Sequence, residues 1–402
     1  MSDTFSYAEI LNRECRCKTL CEETLEKKLA GIRELRPNLF SETTTYLDLA
    51  DYHQISTFIT ILEKVFLTEK YRTRVSGTDT KPVTSGVLMG YDFHLTDEGP
   101  RLIEINTNAG GIYLNLILAQ SQVNCCGEMN LFFDEKKNLS SLEHTLVEMF
   151  RNEWKLAGHM TPLKSVAIVD EIPAEQYLFP EFQLFAGLLN QHGIETFVLN
   201  PEELKDKPQV ELIYNRLTDF SLSLEKHRHI KNAWKEKTSV VTPAPDHHAI
   251  FANKKNLALL TNAEFLQEIG LNRNEVSLLT SMIPHTRSVR DCNAETLWLE
   301  RKNLFFKPVD GFGGKATYRG DKITKKVWGN ILKGEYVAQN LIPPGSRVIA
   351  GREGALKADI RAYTYEGQIL LLAARLYEGQ TTNFRTAGGG FSPVFVISGK
   401  EA

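Results

Sequence analysis

The sequence predicts an α/β chain with α+β character, and three stretches carry that prediction. Between residues 164 and 217, KSVAIVDEIP, FQLFAGLLNQHG, IETFVLNP and VELIYNRL alternate buried strand with amphipathic helix, the pattern of a parallel β-α-β unit. From about residue 302 the chain becomes strand-rich, with glycine-rich turns, and reads as a mainly antiparallel sheet. Near residue 100, YDFHLTDEGPRLIEIN reads as two strands joined by a polar turn.

The elements follow in order. Residues 1 to about 75 read as helical, because Ile55, Phe58, Ile59, Leu62, Val65 and Phe66 recur at three- and four-residue spacing. The strand pair comes next, then helices at YLNLILAQSQ and SSLEHTLVEMFRNEWKLAG. In the β-α-β unit Gly193 is placed as a helix C-cap. The first strand of that unit leads into DEIPAEQ where a dinucleotide fold would carry GxGxxG, so nicotinamide binding is not expected. NKKNLALLTNAEFLQEIG returns to helix before the final strands. Four segments result: 1–83, 84–160, 161–245 and 246–402.

Bulk properties narrow the function. The 402 residues are 42% hydrophobic and 24% charged, an ordinary globular composition able to bury a large core. A net charge of -3 provides no basic excess for nucleic acid. No apolar run approaches the roughly 20 residues of a membrane span. MSDTFSYAEILNRECRCK holds early acidic residues and no apolar signal core, which argues for a cytoplasmic location. Cys15, Cys17, Cys21, Cys125, Cys126 and Cys292 are therefore expected as reduced thiols, with the ECRCKTLC cysteines on a helix that points Cys15 and Cys17 apart. No convincing Ser/His/Asp or Cys/His set occurs, and His247 and His248 are expected in loops or on polar faces.

Chemistry concentrates in four places. In LIEINTNAGG, period-two alternation puts Glu104 and Asn106 on one strand face. Two hard oxygen ligands there suit Mg²⁺, which takes one or two carboxylates and then phosphate oxygens. In NLFFKPVDGFGGKATYRG, a short strand delivers Lys307, and Gly311, Gly313, Gly314 and Lys315 follow. Glycines let backbone N–H groups approach a phosphate and lysines add charge, although the Walker A spacing is absent. EYVAQNLIPP reads as an extended hinge whose backbone could pair with an adenine edge. The last stretch, ADIRAYTYEGQILLLAARLYEGQTTNFRTAGGG, places Asp359, Arg361 and Arg375 on two strands before a second glycine-rich loop. Arginines so placed would neutralise charge on a transferred phosphoryl or acyl-phosphate oxygen.

Taken together, KPVDGFGGK, the YVAQ hinge and the Asp-strand-Glu-x-Asn set resemble an ATP-grasp ligase. The order is reversed, with the ExN strand near residue 100 and the lysine strand near 310, so the resemblance is to the circularly permuted group. That group includes eukaryotic-type glutathione synthetase and, more loosely, glutathionylspermidine synthetase. Its anchors here run from about residue 85 to 396: IEINT, IYNR, NKKNLALL, the KP-glycine loop and ARLYEGQ.

The resemblance implies a permuted ATP-grasp fold in which 84–160 is the metal-binding half, 161–245 an inserted substrate subdomain and 246–402 the ATP-binding half. It implies Mg²⁺ on Glu104 and Asn106, with Asp92 as third metal-site carboxylate. ATP phosphates would meet Lys307, one of Lys254 and Lys255, and the Gly311 to Lys315 loop, and Gln339 would line the adenine pocket. Arg216 and Arg375 would contact substrate. The reaction implied joins a carboxylate to an amine through an acyl phosphate, releasing ADP and phosphate. The substrates would be small molecules or peptides, in a possible homodimer. A phosphotransferase and a catalytically inactive nucleotide-binding protein are the alternatives.

Three departures bear on substrate. Gly90 stands where an arginine often precedes the metal-site aspartate, Asp310-Gly311 replaces a metal-binding glutamate, and Asn108 and Ala109 replace serines. A substrate pair other than γ-glutamylcysteine and glycine is therefore expected.

Overall fold

The computed structural model describes residues 5–77, 81–122, 135–207, 210–311 and 314–397, with the side chains of 135–138 left aside. Gly313, Cys125 and Cys126 lie outside those residues. Among the described residues the fold is mixed α/β and built on three sheets.

The largest sheet gathers strands from both ends of the chain. It contains β1 (Thr45–Asp48), β2 (Met89–Thr96) and β3 (Gly99–Asn106) with the late strands β12 (Gly345–Val348), β13 (Ala355–Tyr365), β14 (Gln368–Tyr377) and β15 (Gly390–Ile397). Its order is β1-β15-β14-β13-β2-β3, with β12 added on β13. All pairings are antiparallel except that of β1 with β15. The β1 strand corrects the expectation that the first 75 residues are wholly helical: YLD is too short to show a period, and its partner lies about 350 residues away.

A second, antiparallel sheet has the order β10-β9-β11-β8, from β8 (Thr286–Ser288), β9 (Leu304–Pro308), β10 (Tyr318–Arg319) and β11 (Tyr336–Asn340). The third is parallel, in the order β5-β4-β6-β7, from β4 (Ser165–Val169), β5 (Glu195–Leu199), β6 (Leu212–Asn215) and β7 (Val240–Thr242). It is the expected β-α-β unit, and the helix Phe179–Gln191 that crosses it is followed by Gly193 at φ 78.

One face of the large sheet is closed by the helix Leu49–Phe66. Ile55, Phe58, Ile59, Leu62, Val65 and Phe66 are all buried, as their spacing requires, together with Tyr91, Phe93, Leu102 and Ile105 from the strands. Phe58 meets Phe93 edge-to-face at 5.8 Å. Asp92 alternates with Tyr91 and Phe93, and Glu104 and Asn106 with Ile105, so this burial turns the three polar side chains to the opposite face, while a register slip beside Ile103 keeps Leu102 on the buried one.

Two expectations about thiols and imidazoles change. Helix Tyr7–Glu14 ends at Cys15, whose backbone is extended, and Cys17 follows in coil, so this pair is not helical. His247 and His248 are buried, not on polar faces. His247 Nε2 donates to the Thr84 carbonyl at 2.8 Å, and His248 stacks on Phe220 at 4.0 Å. Among the described residues no helix is long and apolar enough to cross a membrane.

Candidate active site

A cleft of about 1280 Å³ runs along the polar face of the large sheet. Its walls include Asp92, Ile103, Glu104, Asp359 and Arg375 from that sheet, and Phe305, Lys307 and Gln339 from the second sheet. Lys254, Gly311 and Gly314 line it as well, as do the hinge residues 340–346 and the C-terminal loop 378–385. Residues separated by up to about 290 positions therefore share one solvent space.

At its floor lies a buried charge ladder. Asp92, 1% exposed, receives a bidentate pair from Arg361, Nε at 2.6 Å and Nη2 at 2.7 Å. Arg375 reaches the same carboxylate at 2.9 Å through Nη2 and Asp359 at 2.7 Å through Nε. Thr382 donates to the other Asp359 oxygen at 2.6 Å. Burial would raise the Asp92 pKa, but the two guanidinium groups outweigh it and hold the carboxyl far below its ordinary range. The register explains the pairing, since Arg361 faces Asp92 across β13 and β2 while Arg375 faces Asp359 across β14 and β13.

This ladder also accounts for Gly90. No arginine stands there; the guanidinium beside Asp92 comes instead from β13. A Cβ on Gly90 would lie 2.6 Å from Ala109 Cβ and 3.5 Å from Arg361 Nε, so the space is already taken.

Glu104 sits opposite Asp92 across the β2–β3 pair, and Asn106 Nδ2 donates to Asp92 at 3.2 Å and to Glu104 at 3.4 Å. Between Asp92 and Phe93 the register slips, Asp92 facing Glu104 and Phe93 facing Leu102, which leaves Ile103 without a partner. A bulge re-aims local groups. Here Ile103 enters the cleft wall, and its carbonyl accepts from Lys307 Nζ at 2.9 Å. Strict alternation in LIEIN does not show this feature.

Lys307 is 6% exposed and also donates to Gln339 Oε1 at 2.8 Å, while Gln339 Nε2 donates to Thr286 at 3.2 Å. Burial pulls the ammonium pKa down to about 8, against the pull of Glu104 in the other direction. Gln339 thus serves first as the group that aims Lys307. The backbone amides of Asn340 and Leu341 are spent on His285 O and Asn303 O at 2.9 and 2.8 Å, which limits the hinge amides open to a base edge. His94, with Nδ1 2.9 Å from Ile342 O, adds a further link from β2 to the hinge.

The two adjacent lysines part company. Lys254 Nζ donates to Gly311 O at 2.6 Å and lines the cleft; Lys255 Nζ is 2.6 Å from Glu335 and points away. Gly311 is forced by close approach, because a Cβ there would come within 2.3 Å of Pro308 Cγ. Gly314, at φ 70, lies against Thr381, so the two glycine-rich loops meet above the cleft. Lys315 is exposed and outside the cleft wall. Asp310 is turned to Asn253 Nδ2 at 3.1 Å and His248 Nε2 at 3.6 Å, also outside the wall.

Arg216 is not brought to the cleft either. Its Nη1 donates to Asn108 O at 2.7 Å and Tyr214 Oη at 3.1 Å, behind the loop that follows β3. Glu181 secures the same loop, accepting from the Gly111 and Tyr113 amides at 2.8 and 3.0 Å. Both hold the ExN strand in place and neither faces the open space. Sequence reasoning missed Ile103, His94 and Asp359 as cleft residues, and also Tyr177, which stacks on Phe384 at 5.0 Å. Asp359 had a visible signal, its two-residue spacing from Arg361.

Mg²⁺ can be tested against this donor set. Glu104 offers a carboxylate to the cleft and Asn106 an amide beside it, which fits a cation that completes its shell with phosphate and water oxygens. Asp92 fits that role poorly, since two guanidinium groups already share its oxygens. Among the described residues no three His, Cys, Asp or Glu side chains cluster as a metal site.

No family model matches the sequence, and no curated protein matches it. Solved structures do resemble the fold. A glutathione synthetase-like effector from Globodera pallida in its apo form has TM-score 0.49 at 11% identity, over 89% of this chain and 90% of that chain. A protein described as a gamma-glutamylcysteine synthetase from Methylobacillus flagellatus has TM-score 0.46 at 10% identity, over 86% of both chains. The ATP-grasp ligase PsnB, complexed with a minimal precursor, has TM-score 0.35 at 14% identity, over 59% of this chain and 78% of that one.

Proposed function

We propose that this chain is an ATP- and Mg²⁺-dependent carboxylate–amine ligase of the circularly permuted ATP-grasp type. One observation carries the reading: Lys254, Lys307 and Arg375 converge with Glu104 on one cleft that two glycine-rich loops cover. These cations and the Glu104 carboxylate suit a triphosphate bridged by a divalent ion. The permuted order is consistent with the β2–β3 pair joining the last strands of the chain through β2 and β13.

In this reading Glu104 and Asn106 would hold Mg²⁺, which when bound screens the charge that develops on phosphoryl oxygens. Lys307 and Lys254 would hold the phosphates. Arg375 would meet the carboxylate substrate as it becomes an acyl phosphate, before the amine attacks and phosphate leaves. Asp92 and Arg361 act behind it, fixing Arg375 from below. Asp359 fixes it from the side. No general base is needed for the phosphoryl step itself, because the chain's contribution is position and charge.

Neutralisation of Asp92 by two arginines favours one second reading, a protein that binds nucleotide without turning it over. Calorimetric titration with a non-hydrolysable ATP analogue, with and without Mg²⁺, tests both. Mg²⁺-dependent binding, followed by ADP release only when an acid and an amine are both present, supports the ligase. Binding with no ADP release across acid and amine pairs supports the second reading, and no binding at all sinks both.

A further inference from the structure

Arg347, on β12, is fully buried, yet the groups it touches are not carboxylates. It donates through Nε to Thr44 O at 2.7 Å and through Nη1 to Cys15 O at 2.6 Å, Val348 O at 2.7 Å and Asn12 O at 3.3 Å. The Tyr46 ring lies 5.6 Å from its guanidinium carbon. A buried guanidinium is costly unless an anion accompanies it. Cys15 is the ionisable neighbour whose backbone carbonyl this guanidinium holds, and its sulfur stands 3.9 Å from Tyr46 Oη.

Cys17 completes the arrangement. It follows two residues on in the same coil segment, and its backbone N–H and thiol both act on the Cys15 sulfur. Both cysteines are half-buried and reduced, within reach of a small solute. Burial pushes the Cys15 thiol up, but the Cys17 hydrogen bonds and the Arg347 charge outweigh it and bring it below its ordinary value. Cys21 turns instead to Thr24, whose hydrogen bond lowers its thiol pKa as well, and it shares none of the groups around Arg347.

We propose that Cys15 and Cys17 form a dithiol that hydroperoxides oxidise to a disulfide, with Arg347 holding Cys15 as the attacking thiolate. The Cys15 sulfur attacks the terminal peroxide oxygen, the O–O bond breaks, and the departing alkoxide or hydroxide takes a proton. Cys15 is then a sulfenic acid, oxidised by two electrons. The Cys17 sulfur attacks it, the S–O bond breaks, and the hydroxide leaves as water with the proton that Cys17 gave up. The net change is dithiol plus hydroperoxide to disulfide, alcohol and water. Glycine and serine at the start of Arg347's own strand line the cleft, so the oxidised pair would sit directly behind its wall.

The test uses the full, reduced chain with hydrogen peroxide and peptide-level mass spectrometry at every cysteine. A Cys15–Cys17 disulfide is expected in the wild type, and a dimedone-trapped sulfenic acid at Cys15 in Cys17→Ser. Iodoacetamide at neutral pH should label Cys15 faster than Cys292. Arg347→Met should slow that labelling about tenfold, the effect of one pKa unit on thiolate fraction. Cys17→Ser changes a half-buried loop residue and remains informative if Arg347→Met fails to fold. Labelling of Cys15 as fast in a folded Arg347→Met as in the wild type, or no dimedone adduct at Cys15 in Cys17→Ser, overturns the proposal.

Discussion

At the scale of single residues, proximity separates groups that look alike in sequence. Lys254 and Lys255 are neighbours, yet one reaches Gly311 in the cleft and the other pairs with Glu335 outside it. Lys254→Ala is expected to weaken Mg²⁺-nucleotide binding about tenfold or more, and Lys255→Ala to leave it within about twofold, as screened surface pairs contribute little. Calorimetry on both variants checks this, and equal losses would remove Lys254 from the site. Asp92 carries a different burden. Asp92→Asn leaves Arg361 facing no carboxylate, so unfolding free energy in denaturant should drop by about 3–5 kcal/mol. Lys307 gives a pH signature. Its folded pKa, about 8, lies below the unfolded value, so between them the unfolded chain holds a proton that the folded chain has released. The cost of burying the ammonium is therefore full below about pH 8 and fades as pH rises toward 10. Lys307→Met removes that dependence, and the gap in unfolding free energy between variant and wild type should shrink over this window. Nucleotide affinity of the wild type should fall over the same window as the ammonium is lost.

At the scale of elements, what was legible depended on how local the cause is. The helix Leu49–Phe66 was readable because one apolar stripe decides it, and the β-α-β unit because strand and helix periods differ. Glu104 and Asn106 were readable as one face because Asn106 also pairs in step with β2. The slip at Ile103 was not, because a bulge arises from the fit of two strands and leaves no mark in either alone. Cys15 and Cys17 misled for a related reason: the helix stops where Arg347 draws in the Cys15 carbonyl, and Arg347 is about 330 residues distant. The glycine loop was legible by composition, and its geometry now yields a sharper expectation. Gly311→Ala places a Cβ against Pro308, so the loop must shift while the strands beneath it need not. Nucleotide affinity should fall about tenfold with secondary structure unchanged by circular dichroism; an unaltered affinity would show that the loop does not follow the phosphates.

At the scale of the whole molecule, the cleft exists because the chain's two ends share a sheet. β2, with β3 at its outer edge, hydrogen-bonds to β13, which begins about 270 residues later, and the second sheet supplies Lys307 from above. Motif reading placed most of these residues in one function through their resemblance to a reordered ATP-grasp set. It could not rank them by position, which is why Arg216, Lys315 and Asp310 stand outside the wall while Asp359 and Tyr177 stand in it. A ligand that touches both sheets must couple them, since its binding energy is lost when either unfolds. Saturating Mg²⁺ and nucleotide analogue at about one hundred times Kd should therefore add about 2.7 kcal/mol to unfolding free energy. Hydrogen exchange should show the protection on both β2–β3 and β9–β11. Glu104→Gln should abolish the Mg²⁺-dependent part on both sheets at once. Protection confined to the second sheet, with Glu104→Gln without effect, would mean that the large sheet takes no part in binding and that its charge ladder is structural.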